Sequence, residues 1–317
     1  MNDFLTLGEL LIDFTPSGEA GGQKLFMQNA GGAPANVAAA ISGFGVSAAY
    51  IGMVGNDVFG RYLKQVLVDK GVDTSGLVMS DDYNTTLAFV HLFENGDRDF
   101  SFYRKPGADI MYEEKCLNPE IIKQAKVFHF GSLSLTDEPA RSATFAALKI
   151  AKENGVVVSY DPNYRAPLWK NEETAKEYML RGLEYADILK ISDSEVSFLF
   201  GDMDYNDAAR MLLRRGVKLV FITLGGEGAV YGGAAGTGAV GAYSANVVDT
   251  TGAGDCFTAG VLYRFIKDGK KFDELTLCDM HVYADFACAA ASLCVEQKGG
   301  IPSMPGLEQV KERLSRK

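Results

Sequence analysis

Asp249-Thr250-Thr251-Gly252-Ala253-Gly254-Asp255-Cys256-Phe257-Thr258-Ala259-Gly260 runs from a short glycine turn into a helix-like series of small and apolar residues, with a carboxylate at the junction. Backbone N–H groups in the first turn of a helix have no partners within it, so they point outward and attract anions such as phosphate. A carboxylate there would repel a bound phosphate. Asp255 makes sense if it takes a proton from a hydroxyl that is about to attack the phosphorus. An anion cradle beside a base is the minimum equipment for phosphoryl transfer to an alcohol. Taken alone, the stretch also reads as a common helix cap and a common turn. Its surroundings decide between the two.

Upstream of it, from residue 120, apolar strand segments alternate with helical ones. Strands at 127–130, 156–160, 188–191 and 219–223 are separated by helices at 139–154, 172–185 and within 193–215. Earlier, 4–7 and 49–54 read as strands, and 33–44 and 57–70 as helices. Such alternation predicts an α/β fold with a doubly wound, largely parallel sheet and helices on both faces. Ligands in these folds sit at the carboxyl ends of the strands, where Asp13, Asp161 and Gly225 are expected. The segments at about 10–30 and 86–105 break the alternation, the latter around the turn Asn95-Gly96-Asp97. They are expected to form a small β-sheet lid that closes on substrate. With no dividing linker, residues 1–317 read as a single domain.

The composition fits this. The chain of 317 residues is 47% hydrophobic and 23% charged, as expected of an ordinary globular protein. Its net charge of −10 argues against nucleic acid, while local N–H groups and one or two arginines suffice for a nucleotide. The start, Met1-Asn2-Asp3-Phe4-Leu5, carries no signal pattern, and the apolar run 284–295 is broken by Asp285 and too short for a bilayer. Five cysteines without paired spacing and three scattered histidines give neither a disulfide framework nor a zinc signature. The expectation is a reduced, cytoplasmic, soluble protein with no membrane partner.

Gly-x4-Gly-Lys-Ser/Thr does not occur, which removes the main support for a P-loop reading. Instead, Gly31-Gly32-Ala33-Pro34-Ala35-Asn36 opens a helix with Pro34 in its first turn. Its glycine pair lets backbone approach a ligand, and Asn36 can hydrogen-bond hydroxyls. Gly52-Met53-Val54-Gly55-Asn56-Asp57-Val58-Phe59-Gly60 is a further strand-to-helix turn, read as mainly structural. Together with 249–260, and in this order, these stretches resemble the signatures of the PfkB, or ribokinase-like, carbohydrate kinase family. Three more resemble the corresponding stretches of fructokinases: Gly8-Glu9-Leu10-Leu11-Ile12-Asp13-Phe14, 102–109 with Arg104, and 161–169 with Arg165.

The resemblance implies a ribokinase-like fold, ATP with Mg²⁺, a candidate K⁺, and a homodimer joined through the lids. Position by position it implies a sugar site of Asp13, Gly32, Asn36, Arg104 and Arg165. It places Thr223, Gly225, Gly226 and Gly228 at the nucleotide, and Glu195 near Mg²⁺ through water. The family has Asn where this chain has Ser192, so the motif ending in Glu195 is incomplete. Asp249 and Thr251, with 294–299 backbone (Cys294, Gln297, Gly299) and Ser303, match the family's monovalent-cation loop. Asp255 is the implied base, and the N–H groups of Gly252, Ala253 and Gly254 the implied cradle. Fructose giving fructose 6-phosphate is the first expected reaction. 2-Keto-3-deoxygluconate, ribose and an aminoimidazole riboside are the alternative acceptors. A catalytically silent sugar-binding regulator is the rival class, against which the intact Asp255 argues.

Overall fold

The protein is described here from a computed structural model covering residues 2–92 and 98–316. β1 (Phe4–Leu7) leads to β2 (Leu11–Ala20) and β3 (Gln23–Gly31), then α1 (Ala33–Gly43), β4 (Ala48–Gly55), α2 (Val58–Asp69) and β5 (Val72–Ser80). β6 (Leu87–Leu92) and β7 (Arg98–Tyr103) follow, and a short α3 (Pro119–Lys123) opens the alternating run. That run is β8 (Val127–Gly131), α4 (Ala140–Glu153), β9 (Val157–Asp161), α5 (Glu172–Leu183), β10 (Ile188–Ser192), α6 (Asp193–Phe200), α7 (Tyr205–Arg214) and β11 (Leu219–Thr223). β12 (Ala229–Gly233), β13 (Gly236–Val240), α8 (Ala253–Asp268), α9 (Leu277–Cys294) and α10 (Leu307–Ser315) complete it.

Nine strands form one sheet in the order β13-β12-β11-β10-β9-β8-β1-β4-β5. It is parallel from β5 to β11, with β12 and β13 adding an antiparallel edge. Successive strand residues face opposite sides. Phe4, Val127, Ile188 and Leu219 join the core beneath α1, α8 and α9. Their neighbours Leu5, Phe128, Leu189 and Val220 join a second core beneath α4, α5 and α7. Burial on both faces is why these strands read as continuous apolar runs rather than alternating ones.

A separate four-stranded sheet, β3-β2-β6-β7, gathers the two segments that broke the alternation. One expectation needs correction. Asp13 does not lie just past β1: the chain breaks only over Gly8 to Leu10 and restarts as β2, so Asp13 belongs to the small sheet. The glycine-rich stretch after residue 228, given no element from the sequence, pairs as β12 and β13. The expected turn Asn95-Gly96-Asp97 lies outside the described residues.

Candidate active site

α8 starts at Gly252, whose φ of 80° is left-handed and suits glycine. A Cβ there would stand 2.7 Å from the Met304 methyl, so both backbone and packing demand glycine. Among the described residues, the Gly252 and Gly254 amides are used by no other part of the chain. The Ala253 amide differs from expectation: it donates back to the Thr250 carbonyl at 3.3 Å. Asp255 is the third residue of the helix and 7% exposed. Asn36 of α1 donates from Nδ2 to its Oδ2 at 2.7 Å, and Asn163 Nδ2 lies 3.5 Å from its Oδ1. Burial, and then the Asp161 carboxylate, push the Asp255 pKa up to about 6 against the opposing pull of Asn36, Lys190 and Arg165.

Asp255 faces a cavity of about 440 Å³ that Asp13, Gly32, Asn36, Arg165 and Glu195 also line. Asp13 reaches it from β2, where Gly31 across the ladder leaves room: a Cβ at 31 would fall 2.2 Å from Asp13 Oδ2. Among the described residues no donor satisfies the Asp13 carboxylate. Burial pushes its pKa up to about 7, with Arg165 opposing and Asp255 and Asp249 adding. Gly32 caps α1 at φ 111°, against the Glu9 backbone.

A second cavity, of about 500 Å³, shares Thr223, Gly225, Thr250 and Gly254 with the first. Its other walls include Gly226, Gly228, Val247, Phe257 and Ala291. Gly225 and Gly226 leave open space where a side chain would stand. Gly228 is required by packing instead, since a Cβ would meet the Val240 carbonyl at 2.0 Å. The alanines of α9 serve close helix packing, a Cβ on Gly260 meeting Ala287 Cα at 2.7 Å, while Ala291 also borders this cavity.

Glu195 is bound up in local structure. Its Oε1 accepts the Tyr164 amide at 2.7 Å and its Oε2 the Ser192 amide at 2.8 Å, closing a capping box with Ser192. That arrangement suits Mg²⁺ reached through water, because Mg²⁺ keeps several waters and is shared with substrate phosphates. Behind α8, Asp249 accepts the Thr251 amide at 2.9 Å and the Gly299 amide at 3.0 Å. Cys294 Sγ lies 3.6 Å from the Thr251 carbonyl and 3.1 Å from Ser303 Oγ. The Gln297 amide donates to the Cys294 carbonyl at 3.1 Å, and its side chain is exposed. The residues of the expected cation loop lie close together, and the oxygens named here meet donors of the chain itself.

Arg104 departs from its expected place. It lines a neighbouring cavity with Trp169 and Arg141, and does not line the one that Asp13 and Asp255 share. Asp109 holds its Nε at 2.7 Å, Thr136 and the Leu133 carbonyl hold its other nitrogens, and the pair is buried. The Gly52–Gly60 turn is structural as read: Asp57 caps α2 through the Gly60 amide at 2.8 Å and accepts the Thr85 amide at 2.8 Å.

Sequence reasoning missed three cavity residues. Glu9 is buried, accepts the Ala33 amide at 2.8 Å, leaves Oε2 without a partner among the described residues, and has its pKa pushed up to about 7 chiefly by burial. Asn163 holds a left-handed φ of 48°, which Asn tolerates better than most residues. Lys190 pairs with Asp161 at 3.1 Å inside β10. A lysine within Ile188-Leu189-Lys190-Ile191, a strand otherwise apolar, was the available signal.

The doubly wound sheet thus carries a polar cavity beside a more apolar one, joined over a glycine turn. The model of the pfkB family of carbohydrate kinases matches residues 1–307, and the chain belongs to that family. It is 42% identical to fructokinase-1 of Zea mays, over 98% of this chain and 97% of the relative. The structure of Xylella fastidiosa fructokinase with bound ATP superposes with a TM-score of 0.92 at 31% identity, covering 100% of this chain and 99% of that one. Vibrio cholerae O395 fructokinase, bound to fructose, ADP and calcium ion, gives 0.90 at 32% identity, covering 98% and 99%. Among the described residues no helix is long and apolar enough to cross a membrane.

Proposed function

We propose that this chain is a fructokinase, transferring the γ-phosphoryl group of ATP to the 6-hydroxyl of fructose. The observation that carries the reading is the pair of buried carboxylates, Asp13 and Asp255, facing one polar cavity that adjoins the Gly252 turn. Asp13 accepts sugar hydroxyls, with Gly32, Asn36 and Arg165 beside it. Asp255 takes the proton of the attacking hydroxyl as its oxygen bonds to phosphorus. The bond to the bridging oxygen breaks, and its electron pair leaves with ADP. The Gly252 and Gly254 amides receive the charge of the transferring group, a role in which fixed donors are worth far more than in water. Thr223, Gly225, Gly226 and Gly228 border the nucleotide. Glu195 would hold Mg²⁺ through water, and the ion would supply charge neutralisation at the phosphates. The loop of Asp249, Thr251 and Ser303 suits K⁺.

The small sheet acts in this reading as a lid on a single domain, excluding water as a competing acceptor. Its exposed Leu25, Phe26, Met27 and Tyr103 support pairing with a second copy. Five cysteines that form no disulfide with one another support a reducing, cytoplasmic setting. Fructose as acceptor is supported by the fructokinase relatives and by the fructose bound to the Vibrio cholerae protein. ADP release measured with fructose, 2-keto-3-deoxygluconate, ribose and aminoimidazole riboside tests the reading. Fructose should give the highest kcat/KM, and turnover with none of the four would refute it.

A further inference from the structure

Lys190 is the one charged residue of β10, 8% exposed among buried apolar neighbours. Desolvating an ammonium is costly, and a buried ion pair rarely stabilises a fold better than apolar side chains of similar volume. The Lys190–Asp161 pair therefore calls for a reason beyond packing. Burial pulls the Lys190 pKa down, but Asp161, and then Glu195, more than offset it, so the ammonium stays charged.

Its position supplies the reason. Nζ stands 2.9 Å from the point that a Cβ on Gly254 would occupy, so glycine at 254 leaves the ammonium against the first turn of α8. Lys190 lines the same cavity as Asp255, Gly252 and Gly254. The cavity walls carry the carboxylates of Glu9, Asp13, Asp193, Glu195 and Asp255, and among the described lining residues only Arg165 and Lys190 are cations. Arg165 already donates to the Tyr164 carbonyl at 2.9 Å. A phosphoryl group arriving among so many carboxylates needs a fixed cation at the turn that receives it.

We propose that Lys190 is a catalytic residue whose ammonium contacts the transferring phosphoryl group at the start of α8, with Asp161 as the positioning residue that pins it there. The proposal rests on the kinase reading above and adds a cation to it. Asp161 meets the ammonium with Oδ2 at 3.1 Å and Oδ1 at 3.3 Å, and Thr258 Oγ1 lies 3.4 Å from Asp161 Oδ2, so the pin is itself anchored to α8.

Lys190→Met alone would strand the Asp161 charge and endanger folding. The informative protein is the neutral pair Asp161→Asn/Lys190→Met, compared with Asp161→Asn and the parent by melting temperature, calorimetric ADP affinity and kcat. Turnover is read with whichever sugar the parent uses fastest, so a wrong acceptor leaves the test intact. The double variant should fold and bind ADP like the parent, yet lose about 10²–10³ in kcat, the usual cost of removing one fixed transition-state donor. Asp161→Asn, which keeps the ammonium, should lose far less. A folded double variant with parental kcat would mean that Lys190 merely neutralises Asp161, and would overturn this inference alone. Absence of sugar-dependent turnover in the parent would overturn the kinase reading together with it.

Discussion

Asn36 Nδ2 donates to Asp255 Oδ2 at 2.7 Å, joining the first turns of α1 and α8 across a separation of 219 residues. Both helices open at glycines with left-handed φ, Gly32 and Gly252, so each brings its first turn to the same cavity. The bond fixes which carboxylate oxygen is occupied and leaves the other facing Asn163 at 3.5 Å. A base held in this way is aimed before substrate arrives, and pre-set orientation is a large part of what a site contributes to rate.

The protonation of that base gives a pH dependence with a definite sign. Asp255 must be ionised to accept a proton, so kcat/KM should rise through an acid limb between about pH 6 and 7, which belongs jointly to Asp255 and its neighbour Asp13. Stability runs the other way. A carboxyl whose pKa is raised by folding binds protons more tightly in the native state, so its contribution is lost as pH climbs from about 4 towards 7. The melting-temperature advantage of Asp255→Asn over the parent should therefore widen across that range. A constant difference would contradict the raised pKa.

Arg104→Ala tests the corrected placement of that residue. Removing the guanidinium leaves Asp109, buried at 1% side-chain exposure, with Thr86 as its remaining side-chain partner. Breaking a buried pair from one side costs about 3–5 kcal/mol. Denaturant unfolding should show a loss of that order, with both substrates weakened alongside. Unchanged stability with a raised KM for sugar alone would restore Arg104 as a direct sugar contact.

The small sheet predicts an assembly. Phe14 stacks on Phe89, and Phe26 and Tyr103 meet Phe89 edge-on, forming an aromatic group of which Phe26 and Tyr103 remain 41% and 67% exposed. A small sheet with one apolar face uncovered gains by pairing with another. Light scattering should give twice the chain mass, and Phe26→Lys should halve it. A monomer at assay concentrations would contradict the paired lid.

The main sheet was legible because its parallel strands are buried on both faces and its helices cap visibly. β12 and β13 escaped because glycines at 232, 233, 236 and 238 weaken any strand pattern. Asp13 fell within the segment expected to form the lid yet was also expected just past the first strand, because only three residues separate β1 from β2. The glycine turn, Asp255 and Asn36 announced themselves by chemistry at element starts. Lys190 did not, because a charge in a buried strand explains itself only once its partner Asp161, 29 residues away, is seen beside it. Arg104 misled for a similar reason: Thr136 and the Leu133 carbonyl, which hold it, belong to a distant stretch.

The most direct test is Asp255→Asn, with kcat measured on fructose and nucleotide affinity measured by calorimetry. The substitution keeps the shape and most hydrogen bonding while removing the proton acceptor. Loss of a general base costs about 10²–10⁴ in rate, and it should appear in kcat because proton removal matters in the transition state. ATP should bind as well as before or slightly better, one negative charge having left the phosphate site. Near-parental turnover by this variant would contradict the account and reduce Asp255 to a helix cap.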